Sequence, residues 1–210
     1  MAQQIKQPQQ AQLSITEQLA FSTVRIQVTT KEGSGTGTGF FFNFLDDGKQ
    51  YIPAIVTNKH VVKGSLQGSF LLTSANDDGT PNLTLHIPVT LDNFESRWIP
   101  HPDDNVDLTI MLIAPILTEA SQKGFKPFLI PFNKTIIPSD NQLKELTSVE
   151  DILMVGYPIG IWDQKNNYPI FRRGITATHP ANDYNGKQEF MTDAACFPGS
   201  SGSPVFLFNV

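Results

Sequence analysis

The chain has 210 residues, of which 40% are hydrophobic, and its net charge is −5. A chain of this size buries a proper core and forms one or two domains. Because the basic residues do not cluster, neither a nucleic acid nor a membrane surface is an expected partner. The single cysteine, Cys196, excludes an internal disulfide framework and favours a reducing compartment. We therefore expect a cytoplasmic protein, with secretion open only if a leader has been removed.

The N-terminus is rich in glutamine, which accounts for six of the first twelve residues. It contains no apolar stretch of the kind found in signal peptides and membrane anchors. Residues 1–20 are predicted to form a disordered lead followed by a short helix. The segment Ser14-Ile15-Thr16-Glu17 matches a capping box and predicts a helix from Thr16 to about Phe21.

From residue 22 onward, short apolar or alternating runs are separated by Gly, Pro, Asn and Asp, which is typical of a barrel or sandwich. The first predicted strands are Val24–Val28, Gly39–Leu45, Ile52–Thr57, Ser69–Thr73, Leu83–Val89 and Val106–Ala114. A connection with a helical turn around Leu117–Lys123 follows. The second set comprises Phe128–Phe132, Ile152–Gly156, Tyr168–Thr178, Glu189–Thr192 and Val205–Phe208, with a helix-like segment at Asp140–Leu146. These runs predict an all-β fold.

The strongest chemical motif lies near the end of the chain and reads Gly199-Ser200-Ser201-Gly202-Ser203-Pro204. A serine hydroxyl attacks a carbonyl only if a base takes its proton and donors hold the resulting oxyanion. The flanking glycines permit a tight turn that presents Ser201 and directs backbone N–H groups to one point. Taken alone, the motif is also compatible with an ordinary Gly/Ser/Pro turn.

A histidine and an aspartate elsewhere in the chain strengthen the catalytic interpretation. His60 follows a strand-like run that ends at Thr57, and Asp107 begins another apolar run. The order is His, Asp, Ser, with gaps of 47 and 94 residues. This is the chymotrypsin-like order, whereas subtilisin-like and α/β-hydrolase triads follow other orders. Asp103 and Asp104 lie in a turn-forming segment and are interpreted as solvated turn residues. The other histidines lack such context and are interpreted as surface or structural: His86, His101 and His179.

Several segments of the chain resemble trypsin-like serine proteases, and most closely the bacterial HtrA/Deg-type branch. They are Gly37-Thr38-Gly39-Phe40-Phe41, Thr57-Asn58-Lys59-His60-Val61-Val62, Asp107-Leu108-Thr109-Ile110, Val155-Gly156-Tyr157-Pro158-Ile159-Gly160, and Thr192-Asp193-Ala194-Ala195 leading into Gly199-Ser200-Ser201-Gly202. The resemblance implies His60 as general base, Asp107 as its orienting carboxylate and Ser201 as nucleophile. It also implies an oxyanion hole made by the amides of Gly199 and Ser201.

The fold implied by the resemblance is a pair of packed, six-stranded antiparallel β-barrels with the site between them. Residues 21–116 would form the first barrel, carrying His60 and Asp107, and residues 117–127 the connection. Residues 128–210 would form the second barrel, carrying Ser201. The substrate pocket would include Ala195 and Cys196, and an uncharged Ala195 argues against a preference for Lys or Arg.

The chain also departs from the family pattern. Only nine residues follow Ser201, whereas the family has several more strands there. We therefore expect a second barrel that is incomplete here, and further domains beyond Val210. Ser200 stands where digestive relatives have an aspartate that pairs with a newly cut N-terminus, and no matching activation site is present, so no zymogen cleavage is expected. Ser203 stands in place of the usual glycine.

Other chemistries fit the sequence less well. The glycine-rich segment 33–39 is not followed by Gly-Lys-Ser/Thr and is interpreted as a hairpin rather than a phosphate loop. Cys196 lies outside the glycine turn and is interpreted as a small buried side chain, not as a nucleophile. No Cys/His spacing indicates a structural zinc site, and no cofactor is expected.

The sequence thus predicts a serine endopeptidase acting on peptides or proteins through an acyl-enzyme. An esterase using the same triad and a catalytically retired binding or regulatory module remain as alternatives.

Overall fold

The computed structural model describes residues 13–158 and 161–208. Eight strands belong to a first sheet: β1 (Thr23–Thr30), β2 (Ser34–Phe44), β3 (Ile52–Thr57), β4 (Ser65–Ala75), β5 (Pro81–Asp92), β6 (Ile99–Pro100), β7 (Thr109–Leu112) and β8 (Pro127–Phe128). Four belong to a second: β9 (Asp151–Gly156), β10 (Ile170–Thr176), β11 (Thr192–Ala194) and β12 (Val205–Leu207). The α-helices are α1 (Ile15–Ala20), α2 (Lys59–Val62), α3 (Ala114–Gln122) and α4 (Asp140–Lys144). Most of the predicted lead lies outside the described residues.

Both sheets are antiparallel in every ladder between their strands. The first runs β5-β4-β1-β2-β3-β7-β6, with β8 added to β4, and the second runs β11-β10-β9-β12. The predicted all-β class is therefore confirmed. The two closed six-stranded barrels are not, because neither sheet pairs its two edge strands within the described part of the chain.

The first helix forms where the capping box predicted it. The Ser14 hydroxyl accepts from the Glu17 backbone N–H, and the Glu17 carboxylate accepts from the Ser14 backbone N–H. Hydrogen bonding of the Glu17 carboxylate with the Ser14 side chain, and with the Ser14 backbone N–H, lowers the pKa of Glu17. Leu19 on the opposite side of α1 packs with Leu153 and Val155 of β9, so the helix covers part of the second sheet.

The main core fills the first sheet. Its buried side chains come from the strands, from α2 and α3 and from the segment after β5, and they include Ile26, Ile55, Leu72, Phe94 and Met111. Burying apolar area of this kind is the main favourable contribution to folding. The positions of the residues that follow β3 and precede β7 are thus set by a packed sheet rather than by mobile loops.

Three of the predicted strands differ clearly from the observed ones. The run Val106–Ala114 is shortened to β7 (Thr109–Leu112), because α3 already begins at Ala114. The run Phe128–Phe132 yields only the two-residue β8, which pairs with β4 of the first sheet. Pro127 and Pro131 lack a backbone N–H, which limits how far this segment can extend a ladder. The run predicted at Glu189–Thr192 is displaced towards the C-terminus, because β11 pairs at Thr192–Ala194 with β10.

Candidate active site

Strand pairing brings His60 and Asp107 together. Strands β3 and β7 are antiparallel neighbours, and Thr57 at the end of β3 is directly opposite Thr109 at the start of β7. His60 lies in the single turn of α2, three residues after Thr57, and Asp107 lies two residues before Thr109. The two side chains therefore extend from the same end of one strand pair.

The His60 imidazole lies against the Asp107 carboxylate, with Nδ1 and Oδ2 2.5 Å apart. The other oxygen, Oδ1, accepts from the His60 backbone N–H at 3.1 Å. Asn58 and Lys59 hold the two segments together from the same side, since their side chains donate to the backbone carbonyls of Asp107 and Asp103. Because a carboxylate can only accept, Nδ1 carries the proton and Nε2 is left to accept one.

This pair is open to solvent. The His60 side chain is 57% exposed and that of Asp107 is 48% exposed. Within the described residues, both hydrogen bonds to the carboxylate come from His60. Exposed ion pairs contribute little to folding stability, so stability alone does not account for this contact.

Ser201 lies in the turn between β11 and β12, as the motif predicted. Gly199 and Gly202 have φ of +90° and +82°, in the left-handed region that favours glycine. At Gly202 there is also no room for a side chain, because a Cβ would lie 2.0 Å from the Thr38 carbonyl oxygen. The turn is held against β2 by a hydrogen bond of 2.8 Å from the Thr38 N–H to the Ser201 carbonyl.

The backbone donors predicted for the oxyanion hole are uncommitted. The N–H groups of Gly199 and Ser201 donate to no acceptor in residues 13–158 and 161–208. The Ser201 hydroxyl also makes no hydrogen bond to the His60 ring within these ranges, although both residues line one cleft with Glu32, Thr36 and Lys63. Catalytic hydrogen bonds are often long in ligand-free enzymes and tighten in the substrate complex.

Position 200 has a cationic partner within the chain, which the sequence did not reveal. The Arg172 Nη1 of β10 donates to the Ser200 hydroxyl at 2.5 Å and to the Ala195 carbonyl at 3.1 Å. The Ser200 hydroxyl also accepts from the Phe197 N–H. Arg172 is 8% exposed, and its Nε and Nη2 have no partner in the described structure. Burial lowers the pKa of Arg172, an effect that the nearby Cys196 opposes.

The predicted pocket residues lie in an open loop. Ala195 and Cys196 are both exposed, so the interpretation of Cys196 as a buried side chain is wrong. The reason lies in the topology of the second sheet. Strands β11 and β12 are the two edge strands of this sheet, so in the described ranges the loop between them connects strands that each pair on one side only.

The serine at position 203 fits because of a glycine opposite it. A Cβ at Gly156, the last residue of β9, would lie 2.0 Å from the Ser203 Oγ. The hydroxyl thus occupies space that any other residue at 156 would fill, and it is buried without a hydrogen bond in the described chain.

Thr38 is the main residue of the site whose role could not be predicted from the sequence. It lies on β2, is fully buried, and makes hydrogen bonds to Gly199, Ser201, Thr57 and Tyr157. The flanking glycines make room for neighbours, since a Cβ at Gly37 would overlap the Val61 side chain of α2. The motif Gly37-Thr38-Gly39 was visible in the sequence, but only as part of a resemblance.

No three His, Cys, Asp or Glu side chains come together as a possible metal site in the part of the chain that the structure describes. The helices within the same part are too short or too polar to cross a bilayer. Asp103 is a turn residue as predicted, because its carboxylate accepts from the Asn105 backbone N–H.

Comparison with known proteins supports a trypsin-like peptidase fold. A family model of the trypsin-like peptidase domain matches residues 37–209. The search of curated proteins found no match. Among solved structures, the HtrA-type protease AlgW with a tripeptide is 17% identical with a TM-score of 0.52, over 90% of this chain and 48% of that one. A serine-to-alanine variant of AlgW with a tripeptide is 16% identical with a TM-score of 0.55, over the same shares. The serine endoprotease from Yersinia pestis is 17% identical with a TM-score of 0.48, over 90% of this chain and 51% of that one. The chain spans about half the length of these structures.

Proposed function

This chain belongs to the trypsin-like peptidase family, and we propose that it is a serine endopeptidase acting through His60, Asp107 and Ser201. The observation that carries the proposal is the contact between the His60 ring and the Asp107 carboxylate, beside a cleft that Ser201 also lines. A polar pair that is half exposed has no evident structural use, but it is what a general base requires.

The proposed reaction follows from the proton positions. The His60 Nε2 takes the Ser201 hydroxyl proton as Oγ attacks the carbonyl carbon of the scissile bond. Asp107 keeps the proton on Nδ1 and stabilises the imidazolium that forms. The N–H groups of Gly199 and Ser201, which have no acceptor in the described chain, hold the oxyanion. The imidazolium then protonates the leaving amine, and water hydrolyses the acyl-enzyme with His60 again as base.

We propose peptides or proteins as substrates, by analogy with the tripeptide named for the AlgW structures. Ala195 and Cys196 are proposed to line the primary pocket, where an uncharged Ala195 disfavours Lys and Arg. Comparing ester and peptide hydrolysis rates on the same acyl group distinguishes a peptidase from an esterase.

We further propose that activity needs no zymogen cleavage. Support comes from Arg172, which already supplies a cation to the Ser200 hydroxyl from inside the chain. Active material is therefore expected to retain its original N-terminus. N-terminal sequencing that found a new internal start in the active fraction would contradict this part of the proposal.

The decisive experiment is the intact mass of the folded protein after treatment with a fluorophosphonate. We expect one adduct on the wild type and none on Ser201→Ala. The matched control is Ser203→Ala, which removes a neighbouring hydroxyl that has no hydrogen bond in the described chain and is expected to leave labelling intact. A folded wild type without an adduct would refute the peptidase and favour a retired binding module.

A further inference from the structure

The hydroxyl of Thr38 makes two hydrogen bonds that join the two sheets at the site. Thr38 belongs to β2 of the first sheet and is fully buried. Its hydroxyl donates to the Gly199 carbonyl at 2.9 Å and accepts from the N–H of Tyr157, the residue after β9, also at 2.9 Å. A hydroxyl has one proton to donate, so its only donor hydrogen is committed to Gly199.

The backbone of Thr38 makes two more hydrogen bonds in the same place. Its N–H donates to the Ser201 carbonyl at 2.8 Å, and its carbonyl accepts from the buried Thr57 hydroxyl at 2.7 Å. Thr38 therefore binds the carbonyl oxygens of Gly199 and Ser201. These are the two residues whose own N–H groups are the proposed oxyanion donors.

The hydrogen bonds of Thr38 restrict the orientation of the peptide groups at Gly199. Gly199 has a φ of +90° and no side chain, so its peptide groups rotate more freely than those of other residues. A hydrogen bond to its carbonyl restricts the peptide group between Gly199 and Ser200, whose own N–H donates to the Phe197 carbonyl. This peptide group lies between the two that carry the N–H groups of Gly199 and Ser201, so its orientation limits the directions in which those N–H groups point. Oxyanion donors act only when they point at the developing charge before the reaction occurs.

We propose that Thr38 is a positioning residue, whose hydroxyl sets the orientation of the Gly199 peptide and thereby of the oxyanion hole. This inference rests on the proposed function. It assigns Thr38 no contact with substrate, and the effect passes through Gly199.

The test compares variants that differ in one hydroxyl. Thr38→Val keeps the shape of the side chain and removes both hydrogen bonds of the hydroxyl, whereas Thr38→Ser keeps the hydroxyl and removes only a methyl. Thr23→Val is the matched control, because Thr23 is buried on β1 and its hydroxyl has no partner in the described residues. If Thr38→Val does not fold, Thr38→Ala removes the same hydroxyl without setting a methyl against the two backbone groups.

The readout is the rate constant of fluorophosphonate labelling, followed by intact mass, with urea unfolding measured in parallel. The unfolding curves give the folded fraction of each variant without urea, and the observed rate constant divided by that fraction reports the site in folded molecules. Loss of a whole oxyanion donor slows catalysis by about 10²–10³-fold, so we expect Thr38→Val to label about ten- to hundredfold more slowly. Thr38→Ser and Thr23→Val should label close to the wild-type rate.

The possible results separate this inference from the proposed function. If the wild type itself is not labelled, the peptidase fails and the role of Thr38 fails with it. If the wild type is labelled and Thr38→Val or Thr38→Ala reacts equally fast, the positioning role alone is wrong. Equal slowing of Thr38→Val and Thr23→Val, with equal loss of stability, would also refute it.

Discussion

The substitution Gly202→Ala tests the closest backbone approach in the site. Gly202 has a φ of +82°, and a Cβ there would lie 2.0 Å from the Thr38 carbonyl oxygen and 2.4 Å from the Thr57 Oγ1. Those two atoms form a hydrogen bond of 2.7 Å with each other. An added methyl would therefore overlap both partners of a buried hydrogen bond.

The magnitude follows from a matched control. Gly124, after α3, has a φ of +83°, and a Cβ added there would meet nothing within 4 Å, so Gly124→Ala measures the cost of the backbone conformation alone, about 1–2 kcal/mol. Gly202→Ala adds about 1–3 kcal/mol for the broken buried hydrogen bond and about 1–3 kcal/mol for overpacking. The difference between the two variants should thus be about 2–6 kcal/mol in the free energy of unfolding.

The assay is equilibrium unfolding in urea for the wild type and both variants. Since total stabilities are about 5–15 kcal/mol, Gly202→Ala is expected to unfold at much lower urea or to be unfolded in water, while Gly124→Ala stays folded. Equal destabilisation of the two variants would refute the reasoning, because it would mean that the turn after Ser201 has room to move away from β2.

Two further predictions concern ionisable side chains. Asp107→Asn should leave the free energy of unfolding within about 1 kcal/mol of the wild type, because the pair is exposed. It should lower kcat by about 10⁴-fold, since an amide no longer holds the proton on Nδ1 of His60. Steady-state kinetics and urea unfolding of the same preparation measure the two quantities. Burial raises the pKa of Tyr157 in the folded protein above its pKa in the unfolded chain, which is about 10. The stabilisation by the neutral side chain is therefore fully present below about pH 10, and it is lost as the pH rises above that value. Tyr157→Phe should cost about 1 kcal/mol or less at neutral pH, because the hydroxyl lies 3.3 and 3.4 Å from its acceptors. The variant should lose less stability than the wild type between about pH 9 and 11, and parallel urea midpoints of the two proteins over that range would contradict this.

The sequence was most informative where local chemistry decides the structure. The capping box predicted α1, and β3 begins and ends where its apolar run does. The glycines around Ser201 adopt the left-handed conformation that the turn requires. In each case a few adjacent residues determine the outcome, so a single sequence is sufficient.

The sequence was least informative where the structure depends on pairing between segments that are distant in the sequence. The extent of β11 is set by its pairing with β10, including a close approach in which a Cβ at Gly174 would lie 2.6 Å from the Ala194 Cβ. The short β8 joins the first sheet, not the second. The exposure of Cys196 depends on which strands border its loop. None of these outcomes follows from composition or from periodicity.

The site itself combines both situations. His60 and Asp107 meet because of one register within the first sheet, Thr57 opposite Thr109. Ser201 is held from the second sheet through Pro204, which accepts from Val155 of β9. Thr38 connects the turn that carries Ser201 with the strand pair that positions His60. It makes hydrogen bonds to Gly199 and Ser201 on one side and to Thr57 on the other. Loss of the Thr38 contacts would remove hydrogen bonds between the turn that carries Ser201 and the strand pair that positions His60. We therefore propose that the activity depends on the triad residues and also on the close packing around Thr38, Gly156 and Gly202.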